Sequence, residues 1–374
     1  MNSSMSHLLN RRVSHRNILK GRASCVKPIA YIVEGKNSSV PAPKNLEYKN
    51  QLEALRSMSV VVADSGEIDM VKKYHPQDCT TNPSLVLKAV QNKDYAYLLQ
   101  DALAQHSKTT SGYSHGKKDS ARPFAGVADI LAVNIGAEML KIVPGRVSTE
   151  VDAHLSFDTR ATVDKALQIV ELYNDRGVDP SRLYIKMAST WEGIEACRKL
   201  EAQGINCNMT LLFSFAQAAA CADAGATLIS PFVGRIMDWH KAKTGHDFAP
   251  HEDPGVLSVQ KIYKYYKAHS FKTIVMAASF RNVGEIRQLA GCDNITIAPA
   301  LLAELEACTE PLPRMLFPEM SIGEDNVKLS GIKHWEFNEL HGADQMAVDK
   351  LNQGIEGFAA DQVKLESMLA ALAV

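Results

Sequence analysis

With 374 residues, 41 basic and 42 acidic side chains and a net charge of −1, the chain has the length for one large α/β domain and no global charge case for nucleic acid. Seven scattered cysteines without a CxxC pair argue against a disulfide frame or a zinc ribbon and favour a reducing compartment. Twelve histidines without HExxH or another ligand spacing leave a mechanism free of metal and cofactor as the expectation, and no membrane-spanning run is expected.

Residues 1–49 differ from the rest. Arg11, Arg12, Arg16, Lys20, Arg22 and Lys27 precede the first acidic residue, Glu34, among several serines, a composition like an organellar transit peptide. A cytoplasmic enzyme is the default expectation; import into a plastid or mitochondrion is the alternative if residues 1–45 act as such a peptide. Residues 35–50 read as linker, so the folded domain is expected over 50–374, starting with a helix around Asn50–Met58.

From there short apolar runs alternate with helical patterns. The predicted strands are Ser59–Asp64, Cys79–Asn82, Arg146–Val151, Leu183–Met187, Ile205–Leu211, Ala226–Phe232, Thr273–Ser279 and Asn294–Ala298. Helices are predicted between them, Trp191–Gln203 and Phe215–Ala224 among others. His106–Pro123 reads as a surface excursion and 240–256 as a long connection. Met346–Leu372 repeats apolar residues at helical spacing and is expected to cap or flank the domain. Eight βα units predict the fold class: α/β, a single (β/α)8 TIM barrel with additional N-terminal and C-terminal helices.

Strand parity picks out the polar residues that face the lumen. In RLYIKMAST (182–190) Leu183, Ile185 and Met187 point one way while Tyr184, Lys186 and Ala188 point the other, which puts an ammonium among packed side chains. Burying an unpaired ammonium is costly, and a lowered pKa would leave a neutral amine able to attack a carbonyl. A strand lysine on its own is more simply a rim residue whose stem packs and whose head reaches water. Its neighbours change that reading. Asp64 ends the first strand, Asn82 precedes Pro83 at the end of the second, Glu150 shares a face with Ser148 and Asp152, and Asn206, Asn208 and Thr210 lie opposite Ile205, Cys207, Met209 and Leu211. These polar groups gather at strand carboxyl ends, where barrel active sites are built. The sixth and seventh strands add Ser230, Arg235, Ser279 and Arg281 on adjacent loops. Asn282 can cap the next helix, whose N–H groups could join Arg281 in holding an anion such as phosphate.

The segments VVADSGEID (61–69), QDCTTNPSL (77–85), VPGRVSTEVDAHLSFDT (143–159), YIKMASTWEGI (184–194), INCNMTLLFSFAQA (205–218), LISPFVGRIMDW (228–239) and ASFRNVGEI (278–286) resemble those of the transaldolase family of the pentose phosphate pathway, across roughly residues 50–374. The resemblance implies Lys186 as the Schiff-base lysine and Asp64 as the acid/base on a substrate hydroxyl, with Glu150 and Thr210 holding and activating a water. It implies Asn82, Asn208 and Ser230 around a dihydroxyacetone unit, Phe232 shaping the pocket, and Arg235, Ser279 and Arg281 on the phosphate; of the paired loop arginines, Arg281 is expected to be the stronger ligand and Arg235 the one at the rim. His154 stands where arginine is more usual in the family, and Ala277 where glycine is. Sugar phosphates are the expected partners, no cofactor is implied, and a homodimer is left open. Three other readings share parts of the pattern: a Schiff-base aldolase, a pyridoxal-phosphate barrel enzyme and a non-catalytic sugar-phosphate binder.

Overall fold

A computed structural model of the chain describes residues 48–112, 122–320 and 327–373. The basic N-terminal stretch lies outside the described residues, apart from its last two positions, 48 and 49. Eight parallel strands close a barrel in chain order: β1 (Val60–Asp64), β2 (Asp78–Thr80), β3 (Val147–Glu150), β4 (Leu183–Ala188), β5 (Cys207–Leu212), β6 (Leu228–Pro231), β7 (Ile274–Ala277) and β8 (Asn294–Ile297). β8 pairs with β1 through Val60↔Asn294 to Ala63↔Ile297, which leaves no sheet edge. The predicted strands agree within two residues at each end.

Alternation along each strand divides the apolar side chains between two environments. Val61, Ala63, Ile185, Met209, Ile229, Val275 and Ile295 join the large core shared with the surrounding helices, while Val62, Tyr184, Leu228 and Met276 form a separate plug inside the barrel. The lumen is thus filled low down by apolar residues. Polar side chains follow further along the same strands, toward their carboxyl ends.

Leu211 departs from the predicted outward face. The β5–β6 register shifts between Met209 and Leu212, so one extra residue sits on β5, and Leu211 takes a left-handed backbone (φ 51°). It packs instead with Phe213, Phe232, Ile355 and Phe358 at the mouth. The turn is held from below by Gln217, wholly buried, whose amide donates to the Ser189 and Leu211 carbonyls and accepts from the Phe213 and Ser214 N–H groups.

The additions lie as predicted at both ends. Helix Gln51–Arg56 is capped by the Asn50 side chain, which accepts from the Glu53 N–H. The 28-residue helix Gln345–Leu372 runs against the helices after β2 and β6 and against β5, and so reaches the carboxyl-end face of the barrel. Arg122 fastens it there by ion pairs to Glu366 and to Asp152 beyond β3. The expected excursion at His106–Pro123 starts later than predicted: helix Ala96–Gly112 includes its first seven residues, and 113–121 lie outside the described residues. The connection at 240–256 is shorter, since helix Gly234–Thr244 runs into it and helix Pro254–Ala268 begins within it.

Candidate active site

Lys186 lies two residues before the end of β4, level with Glu150 of β3 and Asn208 of β5 in the strand pairing. Only 4% of it is exposed. Its Nζ donates to the Thr81 carbonyl at 3.1 Å and stands 3.1 Å from Glu150 Oε2, an ion-pair contact rather than an aligned hydrogen bond. The amine is thus held between the Thr81 carbonyl, just past β2, and the Glu150 carboxylate of β3.

Two carboxyls stand around this amine. Burial pushes Asp64 above its ordinary range, with Lys186 and then Arg235 pulling it back. Burial does the same to Glu150, against Lys186 and Arg235 and with help from the Asp64 charge. Two carboxyls raised by desolvation beside a buried amine make proton acceptors stronger than any surface carboxylate.

Asp64, Asn82, Thr210, Ser230, Phe232, Arg235 and Ser279 line one pocket with Lys186. Glu150 adjoins it through Lys186. Asn208 lies just beneath, accepting from the Ser230 hydroxyl (2.6 Å) and donating to Ser148 (3.1 Å), a fully buried chain that fixes the orientation of both residues. Asn82 caps helix Pro83–Ala89, which Pro83 opens, by accepting from the Leu85 N–H. That leaves its amide N–H₂ for the pocket.

The phosphate side differs from expectation in two respects. Arg235 is the enclosed arginine, not the rim one: its guanidinium lies 5.0 Å from the Phe232 ring and 5.6 Å from that of Phe358, facing Asp64 and Glu150. Arg281 is the exposed one, at 39% of its side chain, and is paired with Asp238 at 2.7 Å. The helix after Arg281 also offers less than its cap suggested. It has six residues, its Glu285 N–H is taken by Asn282, and the Arg281 N–H donates to Glu285 Oε2 at 2.8 Å. The donors that remain on this side are the guanidinium groups and Ser279, which is held in a left-handed backbone (φ 63°) beside them.

The sequence pattern of the Transaldolase/Fructose-6-phosphate aldolase family matches residues 61–369. Proteins named Transaldolase from Vibrio cholerae serotype O1 (strain M66-2) and Vibrio vulnificus (strain CMCP6) are each 58% identical to this chain over 322 residues, 86% of it and 99% of the relative. Transaldolase A of Pasteurella multocida (strain Pm70) is 57% identical over 321 residues, 85% of this chain and 98% of its own. The chain belongs to the transaldolase/fructose-6-phosphate aldolase family. It is an enzyme, a transferase, as relatives of that name across most of its length indicate.

Several residues that line this pocket escaped the sequence reading. Thr80, Thr296 and Phe358 line the pocket, and the buried hydroxyls of Thr80, Thr210 and Thr296 find no protein partner among the described residues. Parity alone would have found Thr80 and Thr296, since each stands on the lumen face, two residues past Asp78 in β2 and Asn294 in β8. Phe358 comes from the C-terminal helix, 172 positions from Lys186, and no local pattern announces it. Of the two departures from the family pattern, His154 engages Asp152 by its Nδ1 (2.7 Å) and Ala277 is wholly buried on the outer face of β7.

Among the described residues, one group outside the pocket has metal-ligand chemistry: Cys197, Glu201 and Cys207 bring their donor atoms within 4.8 Å of one another. The Glu201 oxygens already accept from the Cys207 and Thr227 N–H groups and the Thr227 hydroxyl, and the Cys197 contact and burial push the Cys207 thiol well up. A neutral thiol and a fully engaged carboxylate suit a packed core better than a metal.

Proposed function

We propose that this enzyme transfers a dihydroxyacetone unit from a ketose phosphate, sedoheptulose 7-phosphate or fructose 6-phosphate, to an aldose phosphate, glyceraldehyde 3-phosphate or erythrose 4-phosphate, within the non-oxidative pentose phosphate pathway. The observation that carries the proposal is the buried Lys186 amine, 3.1 Å from Glu150 Oε2, in one pocket with Asp64 and Arg235. Nζ attacks the substrate ketone while Glu150 Oε2 takes its proton, and loss of water gives an iminium that serves as an electron sink. Asp64 then removes the C4 hydroxyl proton, the C3–C4 bond breaks, and the aldose phosphate leaves. The enamine keeps three carbons on Lys186 until an acceptor aldehyde arrives and the steps reverse.

Each further role follows from position. The unpartnered hydroxyls of Thr80, Thr210 and Thr296 suit a polyhydroxylated substrate, because each buried hydroxyl left unpaired costs about 1–3 kcal/mol. Asn82, Asn208 and Ser230 support the reading of a site for the dihydroxyacetone hydroxyls. Glu150 and Thr210 would hold a water away from the enamine carbon, and Arg235, Ser279 and Arg281 would take the phosphate. No cofactor enters this scheme. Borohydride reduction in the presence of fructose 6-phosphate, followed by peptide mapping, tests it: the adduct belongs on Lys186, and an adduct on another lysine refutes the scheme.

The family description also covers fructose-6-phosphate aldolase, an activity that would release the three-carbon unit. Relatives named Transaldolase favour transfer, and product analysis with and without an acceptor aldose separates the two. Sugar phosphates are the proposed partners. A balanced net charge of −1 and the absence, among described residues, of a helix long and apolar enough to cross a membrane lend no support to nucleic acid or to a helical membrane span. A homodimer is compatible with this reading. For location, the cytoplasm is the default, and the acid-free basic stretch supports import into a plastid or mitochondrion as the alternative. A reporter fused to residues 1–45 that stays diffuse in the cytosol removes the organellar reading.

A further inference from the structure

The rings of Phe232 and Phe358 steady Arg235, whereas Arg281, with 39% of its side chain exposed, is steadied by hydrogen bonds. Asp238, on helix Gly234–Thr244, accepts from Arg281 Nε at 3.0 Å and from Nη2 at 2.7 Å, both on the single oxygen Oδ2. Nη1 donates to the Ser279 carbonyl at 3.2 Å and, more weakly, to the Ser279 hydroxyl at 3.4 Å. Among the described residues Nη2 bonds to Asp238 alone, so Ser279 engages the Nη1 hydrogen that points back along the stem. A guanidinium presents parallel N–H pairs on two edges. Asp238 takes the side-on edge, Nε with Nη2. The end-on edge, Nη1 with Nη2, keeps its parallel pair, the geometry that matches two oxygens of a phosphate.

The stem of this arginine is placed as firmly as its head. A Cβ on Gly234 would lie 2.5 Å from Arg281 Cγ and 2.6 Å from the Ser279 carbonyl oxygen, so a side chain there would force the two loops apart. The Val233 and Gly234 N–H groups donate to the Ala278 and Ser279 carbonyls at 2.8 and 3.0 Å, which stitches the loop after β7 to the start of the helix after β6. Arg281 therefore crosses that helix at Gly234. Asp238 stands four residues further on, on the same helix face, where the guanidinium arrives.

We propose that Asp238 is a positioning residue: it fixes the Arg281 guanidinium by the side-on edge and leaves the end-on edge for the substrate phosphate, so that an exposed arginine binds without first having to be ordered. The inference rests on the reading of Arg281 as a phosphate ligand. A free arginine side chain loses rotamer freedom when it grips an anion, and a fork already held in place loses little. The Asp238 charge acts in the opposite sense, since it repels a phosphate brought to the same guanidinium. The two effects can be separated because both hydrogen bonds fall on one oxygen. Asparagine offers that oxygen without the charge, and alanine offers neither.

The test compares Asp238→Asn with Asp238→Ala by KM and kcat for fructose 6-phosphate and by kcat/KM for unphosphorylated fructose, and repeats the comparison in an Arg281→Ala background. Both variants should fold, since 40% of the Asp238 side chain is exposed. Asp238→Asn keeps KM at or below that of the wild type. Asp238→Ala raises KM about threefold above Asp238→Asn, as large an effect as removing Arg281 itself, while kcat and the activity on fructose are the same in both. Without Arg281 the difference between the two vanishes. Equal KM values in the two single variants would show that Asp238 acts through its charge alone and overturn the inference. A difference that persists in the Arg281→Ala background, or that appears equally with fructose, overturns it as well. If Arg281→Ala by itself leaves KM for fructose 6-phosphate unchanged, the phosphate reading of Arg281 fails. If it raises KM while the Asn and Ala variants remain alike, only the positioning role does.

Discussion

Phe358→Ala should cost both stability and transfer fidelity, because one ring serves two purposes. Phe358 is 3% exposed, packs with Leu211, Phe213, Phe232 and Ile355, and lies 5.6 Å from the Arg235 guanidinium. A buried phenyl side chain removes roughly 150–250 Å² from water, so truncation costs about 4 kcal/mol at ~25 cal/mol/Å². An unfolding entropy of ~2.1 cal/mol/K per residue over roughly 330 folded residues is ~0.7 kcal/mol/K, which turns that loss into a fall in Tm of about 6 °C. The cation–π contact adds ~1 kcal/mol to phosphate binding, equivalent to a rise in KM of about fivefold. A gap above Lys186 would also admit water to the enamine, so more dihydroxyacetone should be released per transfer. Calorimetry, KM for phosphorylated substrate and product analysis with limiting acceptor read the three effects in turn. A Tm within about 2 °C of wild type together with unchanged KM and product ratio would refute the reasoning.

Arg235→Ala should raise KM for phosphorylated substrates at least about tenfold, since an enclosed charge-assisted bond is lost, whereas Arg281→Ala, exposed and already paired with Asp238, should raise it only about threefold; equal effects on fructose and fructose 6-phosphate contradict both assignments. Lys186→Ala should fold but become less stable than wild type as pH rises. Burial already raises Glu150, the lysine holds that rise in check, and a group with a raised folded pKa gives stability that is present at low pH and lost as pH climbs through that pKa. The Tm deficit of Lys186→Ala against wild type is therefore larger at about pH 8 than at about pH 5, and a deficit independent of pH would show that Glu150 does not depend on Lys186.

Much of this site could be read from sequence because a barrel strand reports orientation at every second residue. Lys186 faces inward beside Tyr184, as alternation requires, and Asp64, Glu150, Asn208, Thr210 and Ser230 obey the same rule. Where the backbone breaks the alternation, the reading fails: the extra residue in β5 turned Leu211 from an expected outer position to the mouth. Burial of loop residues was not legible either. Arg235 and Arg281 look alike in sequence, and only the rings of Phe232 and the distant Phe358 make one enclosed and the other exposed.

The central claim is that Lys186 forms the covalent bond and Asp64 the base that breaks C3–C4. Asp64→Ala treated with fructose 6-phosphate and borohydride tests it most directly, by the mass of the peptide that carries Lys186. With the amine intact and the base removed, the iminium forms but does not cleave, so the adduct retains the full six-carbon sugar phosphate. A three-carbon adduct on Lys186, or an adduct on any other lysine, would contradict the account.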